Sequence, residues 1–124
     1  MFWYYILVDK EPRPVLDLIE WATWFETADR KVRQTNLPNT IYVSTIFIGL
    51  DHYFGTDKEH EPIVFETMVF GGKHDMFRER YTNWADAVEG HERCVAMVEH
   101  ETIIDIIYEP LKTKDLSDKK FSEN

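Results

Sequence analysis

Cysteine is almost absent from this 124-residue chain, where Cys94 stands alone. That excludes an intrachain disulfide and any multi-cysteine zinc site, and it fits a reducing compartment. Basic residues are scarce as well: 14 Lys and Arg face 23 Asp and Glu, for a net charge of −9. A surface this acidic repels phosphate backbones, so generic nucleic-acid binding is not expected, whereas docking on a basic partner is. Long apolar runs are also missing. The run at the amino end, Phe2 to Val8, is too short for a membrane span and lacks the basic flank of a signal peptide. A cytoplasmic protein without membrane attachment is the expectation. Internal repeats and low-complexity tracts do not occur. Neither does a His-Glu-x-x-His motif, a phosphate loop or a nucleophile elbow, and no cofactor or metal is expected.

What is present is apolar and aromatic. Hydrophobic residues make up 44% and aromatics 15% of the chain, enough for one folded domain that buries about two-thirds of its unfolded surface. Phe2 to Val8 is β-rich and stops at the turn Asp9-Lys10-Glu11-Pro12. Pro14 then introduces a helix, with Asp17 and Glu20 as a capping box and Leu16 against Trp21 as a hydrophobic staple. Leu18, Trp21, Ala22, Phe25 and Ala28 recur at helical spacing as its apolar face. Arg30, Lys31 and Arg33 complement the dipole at its far end. After a break around Pro38, "TIYVSTIFIGL" (40–50) and Ile63 to Phe70 read as an antiparallel hairpin with an eleven-residue loop. Met76 to Tyr81 makes a further short strand. Asn83 and Asp86 cap a helix from Trp84 to about His100, with the stripe Trp84, Ala87, Val88, His91, Val95 and Val98. Gly90 in that helix marks a close packing contact. "TIIDIIY" (102–108) has the β-branched content of a last strand, and residues 110–124 read as a polar tail beyond a 1–109 domain. The expected order is β-α-β-β-β-α-(β), an α+β domain with a mainly antiparallel sheet and two helices on one face.

The stretch "FETMVFGG" (65–72) places a carboxylate, Glu66, and a hydroxyl, Thr67, where a strand pattern calls for apolar side chains. Asp51, His52, Glu66 and His91 are the residues that could carry acid-base chemistry. Each has a structural reading beside the functional one. Asp51-His52 suits a turn with local hydrogen bonds. His91, on an apolar stripe, suits a hydrogen-bonded core histidine. Glu66 would lie on a partly wet strand face or pair with Arg78 or Arg80 on the next strand; read functionally, it would mark a polar site on the sheet face, with Ser44 or Thr45 across the hairpin and Thr67 on the opposite face. Register is not fixed by the sequence, and a one-residue slip changes which hydroxyl faces Glu66. Trp24, about 60° off the helix stripe, is the surface candidate among the aromatics. Arg30 and Arg33 could hold a phosphate, Gly71-Gly72 suits a turn, and Cys94 suits a buried small hydrophobe.

The segments "YVSTIFIGLDH", "FETMVFGG", "RYTNWADAVEGHERCV" and "DLIEWATWFETADR" resemble a family of small bacteriophage and prophage proteins. The likeness covers residues 4 to about 95 and departs at the charged loop 56–61 and after His100. It implies a phage context and the cytoplasm of a host cell, and it carries over no activity and no catalytic residue. The function expected from residues and resemblance together is a non-catalytic binding protein. It would inhibit a host factor, a defence factor for instance, or sequester a small, nucleotide-like ligand. Trp24, Arg30, Arg33, Glu66, Thr67, Arg78, Arg80 and His91 would line its site. Two alternatives stand beside it: a small hydrolase or transferase using Glu66 and His52, and a homo-oligomeric accessory protein pairing through an exposed edge at residues 2–8.

Overall fold

The computed structural model describes residues 3–57 and 59–122, with side chains followed through Ile107 apart from Asp105. Strand β1 (Tyr4–Val8) turns back through Asp9 and Lys10, both at positive φ (50° and 70°), into β2 (Glu11–Val15). Two residues in that mirror-image conformation match the right-handed twist of a hairpin. Pro12 pairs with Leu7 and Pro14 with Tyr5. Standing at alternate positions, the prolines place both missing N–H groups on the same edge, which β2 leaves unpaired. Helix α1 (Leu18–Thr27) starts at Asp17, whose carboxylate accepts from the Ile19 N–H at 2.9 Å.

Four further strands form an antiparallel meander: β3 (Lys31–Leu37), β4 (Ile41–Phe47), β5 (Phe65–Phe70) and β6 (Arg78–Tyr81). Helix α2 (Trp84–Ser122) is the element that packs across this sheet. Its start is the expected box: Asn83 Oδ1 accepts from the Asp86 N–H at 2.8 Å, and the Asn83 amide donates to the Asp86 carboxylate at 3.1 Å. Alternation along β4 is strict, with Ile41, Val43, Thr45 and Phe47 buried under α2 and the residues between them half-exposed. One apolar cluster joins Ile41, Val43, Val69, Cys94 and Val98; a second joins Phe47, Val64, Phe65, Tyr81 and Ala87. Gly90 sits against the Tyr81 ring so closely that an added Cβ would lie 2.1 Å from its hydroxyl. The β1–β2–α1 unit joins the larger sheet at residues 49–51, where the Tyr5 N–H donates to Gly49 O and the Asp51 N–H to Trp3 O.

The α+β class with antiparallel sheets holds, and several details are corrected. Residues 102–108 are helix, continuing α2, not a strand, and the helix runs on through the stretch expected as a polar tail. The isoleucines there extend a helix already nucleated and packed upstream, so tertiary context overrides β-propensity. Arg30, Lys31 and Arg33 do not end a helix: α1 stops at Thr27, and Lys31 and Arg33 belong to β3. β2 and β3 were both hidden by prolines or charge. Leu16 is 77% exposed and forms no buried staple. Trp24, the surface candidate, is half-buried. Its ring meets Phe47 edge-on at 5.8 Å, and the half-buried α1 face is Trp21, Trp24, Phe25 and Ala28, while Leu18 and Ala22 face solvent. Strand β1 is no open edge, being bonded to β2 on one side and to residues 49–51 on the other; Phe2 lies outside the described residues.

Candidate functional site

The register answers what Glu66 does. It stands opposite Ile46 on β4 and Arg80 on β6, and Arg80 Nε donates to its carboxylate at 3.0 Å. Ser44 opposes Met68 and Thr45 opposes Thr67, so neither hydroxyl lies directly across from Glu66. Because side chains alternate along a strand, Glu66 points away from α2, while Thr67 is fully buried beneath it.

The face that Glu66 shares is covered by no helix or strand among the described residues. An antiparallel sheet with one wet face usually turns polar residues outward. Here the two central strands present Tyr42, Ile46, Met68 and Phe70 beside Ser44 and Glu66. Tyr42 and Phe70 lie side by side with ring centroids 6.1 Å apart. The Tyr42 hydroxyl donates to Gln34 Oε1, and Gln34 Nε2 donates to Thr45 O at 3.3 Å, which fixes the ring's tip. Arg78 and Arg80 flank the patch on β6, and Gln34 and Asn36 on β3.

On the opposite side, a chain of buried polar groups crosses all four strands beneath α2. His91, fully buried, touches Thr35 Oγ1 through Nε2 at 2.8 Å and Thr45 Oγ1 through Nδ1 at 2.7 Å. Thr45 reaches Thr67 at 2.5 Å, Thr67 reaches the Tyr81 hydroxyl at 3.0 Å, and Tyr81 reaches Glu79 at 2.9 Å. Arg93 also donates to that carboxylate, at 2.8 Å. Each hydroxyl owns one proton, and a carboxylate paired with a guanidinium only accepts. Tyr81 therefore donates to Glu79, Thr67 to Tyr81 and Thr45 to Thr67. His91 must then donate from Nδ1 to Thr45 and accept from Thr35 at Nε2. Burial lowers the His91 pKa, which agrees with that neutral tautomer. The same burial raises the pKa values of Tyr81 and Cys94.

The loop after β4 holds a third cluster. Asp51, 8% exposed, accepts from the N–H groups of Tyr53 and Ile63 at 3.0 Å each, and its other oxygen meets His60 Nε2 at 2.6 Å. His60 Nδ1 faces Asp57 O at 2.8 Å, and Tyr53 stacks on the ring at 3.8 Å. Both ring nitrogens face acceptors, an arrangement that favours the imidazolium. Burial pushes the Asp51 pKa up, but the bonds from His60, Ile63 and Tyr53 outweigh it and hold it below the ordinary value. The bond to Asp51 raises that of His60. This pair ties a loop and leaves neither nitrogen free to act as a base.

The four residues proposed for acid-base chemistry are thus dispersed. His52 Nδ1 bonds to Leu50 O at 2.8 Å, and the His52 N–H donates to Ile63 O. That point is three extended residues from Glu66, about 10 Å. Glu66 and His91 occupy opposite sheet faces. Arg30 donates to Phe47 O at 3.0 Å and lies 4.0 Å over the Phe25 ring, and Arg33 pairs with Glu92 at 2.5 Å. No group of three or more His, Cys, Asp or Glu among the described residues is placed to hold a metal ion. Nor is any helix there long and apolar enough to cross a membrane. Tyr42, Met68, Phe70, Gln34 and His60 were not anticipated. The signal for the first three was an aromatic or thioether side chain on the non-core parity of a strand, visible only once register is known. No known protein family, curated protein or solved structure matches this chain.

Proposed function

We propose that this protein is a non-catalytic binding protein whose docking surface is the open face of the β3–β6 sheet. In the phage setting that the sequence resemblance suggests, its target is a host factor whose action it blocks. The observation that carries the reading is the apolar centre Tyr42, Ile46, Met68 and Phe70 on a sheet face that no helix or strand covers among the described residues. Contiguous apolar surface on a soluble chain marks an interaction site more often than chance. A protein target is favoured over a sequestered small ligand because small ligands are held in concave pockets, and these groups stand on one side of an open sheet. Glu66 and Arg80 supply a paired polar contact within the patch.

The test is affinity capture from the host cell with the wild-type chain and with Phe70→Asp, whose side chain is 41% exposed and so tolerates charge without loss of the core. The expected outcome is a partner captured by the wild type and reduced at least about tenfold in the variant, as for loss of an interface anchor, with an unchanged far-ultraviolet spectrum. Equal capture of that partner by both chains would overturn the reading.

A further inference from the structure

We infer that the partner on the open sheet face is an acidic protein segment carrying an apolar ridge. This rests on the docking surface proposed above and adds the chemistry of its occupant.

Charge on this molecule is segregated. The open face and its rim carry Lys31, Arg78 and Arg80 against Glu66 and Asp29. That is one positive charge net, so the remaining surfaces share −10 of the total −9. Lys31 leans toward Asp29 at 3.8 Å and Arg80 is bound to Glu66, while Arg78 is exposed at the strand margin with no ion pair among the described residues. A highly acidic protein thus has no net negative charge on the face that carries the apolar patch, since both acids there are paired. The layout matches a protein interface, with an apolar and aromatic centre, a polar margin, Tyr, Phe, Met and Arg in excess, and few acids.

Three other occupants fit less well. Nucleic acid needs several uncompensated cations along its backbone contacts, and this face has one. A second copy would set this net-positive face against an identical net-positive face. Edge-to-edge pairing is disfavoured at the outer edges of β2, β3 and β6. β2 carries Pro12 and Pro14, β3 carries Lys31 and a bulge between Lys31 and Arg33, and β6 is only four residues long and mostly charged. The edges are guarded and the face is not.

The experiment is selection from a displayed library of random peptides about 16 residues long, enough to span about 24 Å as a helix. The full-length wild-type chain is the bait, and each selected peptide is re-tested on Phe70→Asp and Arg78→Glu. The expected winners combine Asp or Glu with Leu, Phe or Trp. They bind Phe70→Asp at least about tenfold more weakly, weaken with added salt, and lose their preference for acid on Arg78→Glu. Peptides that depend on Phe70 but are neutral or basic would overturn the acidic partner while leaving the docking face in place. Peptides indifferent to Phe70→Asp, or no selected peptide at all, would overturn the face itself. Tighter binding of oligouridylate, shifted by the same variants, would replace the partner with a nucleic acid. Concentration-dependent dimers abolished by Phe70→Asp would replace it with a second copy.

Discussion

At the scale of single residues, the direction of protons in the buried chain is the most constrained feature of the molecule. Because Glu79 only accepts, one orientation satisfies Tyr81, Thr67, Thr45, His91 and Thr35 together. Thr45→Val, nearly the same volume, would remove both the acceptor for His91 Nδ1 and the donor to Thr67. Leaving buried groups unpaired should cost about 1–3 kcal/mol, read from chemical denaturation. His91 also sets a pH dependence. Its folded pKa lies below the ordinary 6.5, so as pH falls through 6.5 the unfolded chain takes up a proton that the folded chain refuses. Stability should therefore fall on acidification below 6.5, and His91→Gln should flatten that slope. His60 behaves oppositely. Its folded pKa is raised, so its contribution is complete below 6.5 and is lost as pH rises through the folded value. Asp51, with its pKa lowered, contributes above 3.8 and loses that contribution as pH falls through its own folded value. Amide exchange at Tyr53 and Ile63, which donate to Asp51, should accelerate on the alkaline side beyond the intrinsic base catalysis. His60→Asn should remove that excess.

At the scale of elements, Gly90 shows how packing reverses a propensity rule. An exposed helical Gly changed to Ala gains about 1 kcal/mol. Here the new Cβ would meet Tyr81 Oη and two ring carbons within 2.2 Å. Gly90→Ala should instead destabilise by about 1–3 kcal/mol, the usual cost of overpacking, and Tyr81→Phe should not rescue it, since the ring carbons remain. A thermal melt of the three proteins decides this. Gly90 was legible as a contact because a mid-helix glycine on a packed face demands a reason. Strands β4 and β5, the Asn83 cap and the first turns of α2 were legible on similar grounds, through alternation, capping chemistry and helical spacing. The missed elements violate local rules. β2 contains two prolines tolerated only on an outer edge, and its turn puts Lys10 at φ 70° where glycine is the usual signal. β3, "KVRQTNL", has too little apolar character to look like a strand and is held by its pairing to β4. Of the buried polar network, a hydrogen-bonded His91 was legible, and Thr67 only as lying on the sheet face opposite Glu66. The open face was not, because whether Tyr42 and Phe70 share a side depends on a register that no local sequence fixes.

At the scale of the whole molecule, the backbone joint between the two sheets is short. The hairpin unit meets the large sheet through the Tyr5 N–H to Gly49 O bond at 2.8 Å, the Tyr4–Leu50 bridge and the Asp51 N–H to Trp3 O bond at 3.1 Å. Beside the joint, and within the hairpin unit, Trp21 Nε1 donates to Tyr5 O at 3.0 Å. All of this passes Gly49, whose φ of +82° is open to glycine and strained for other residues. A Cβ there would lie 3.3 Å from Trp21 Nε1 and 3.4 Å from Tyr5 O, so Gly49→Ala would strain the backbone and press on the same bonds at once. The side-chain packing across the joint is only half-buried: Tyr5, Leu7 and Trp24 lie against the cluster of Phe47 and Phe65, and no α1 residue is fully buried. The expected result is partial uncoupling rather than global unfolding. Amide protection should fall across residues 4–27 while β4 and β5, anchored by Val43, Phe47, Phe65 and Val69 at 0% exposure, keep theirs. Hydrogen exchange read by mass spectrometry separates the outcomes. Loss confined to the hairpin unit establishes a hinge at Gly49, and uniform loss throughout would mean that the two sheets fold as a single cooperative unit. In the first case binding at the Phe70 face should survive the substitution, because α2 and the four strands that build that face lie on the protected side of the joint.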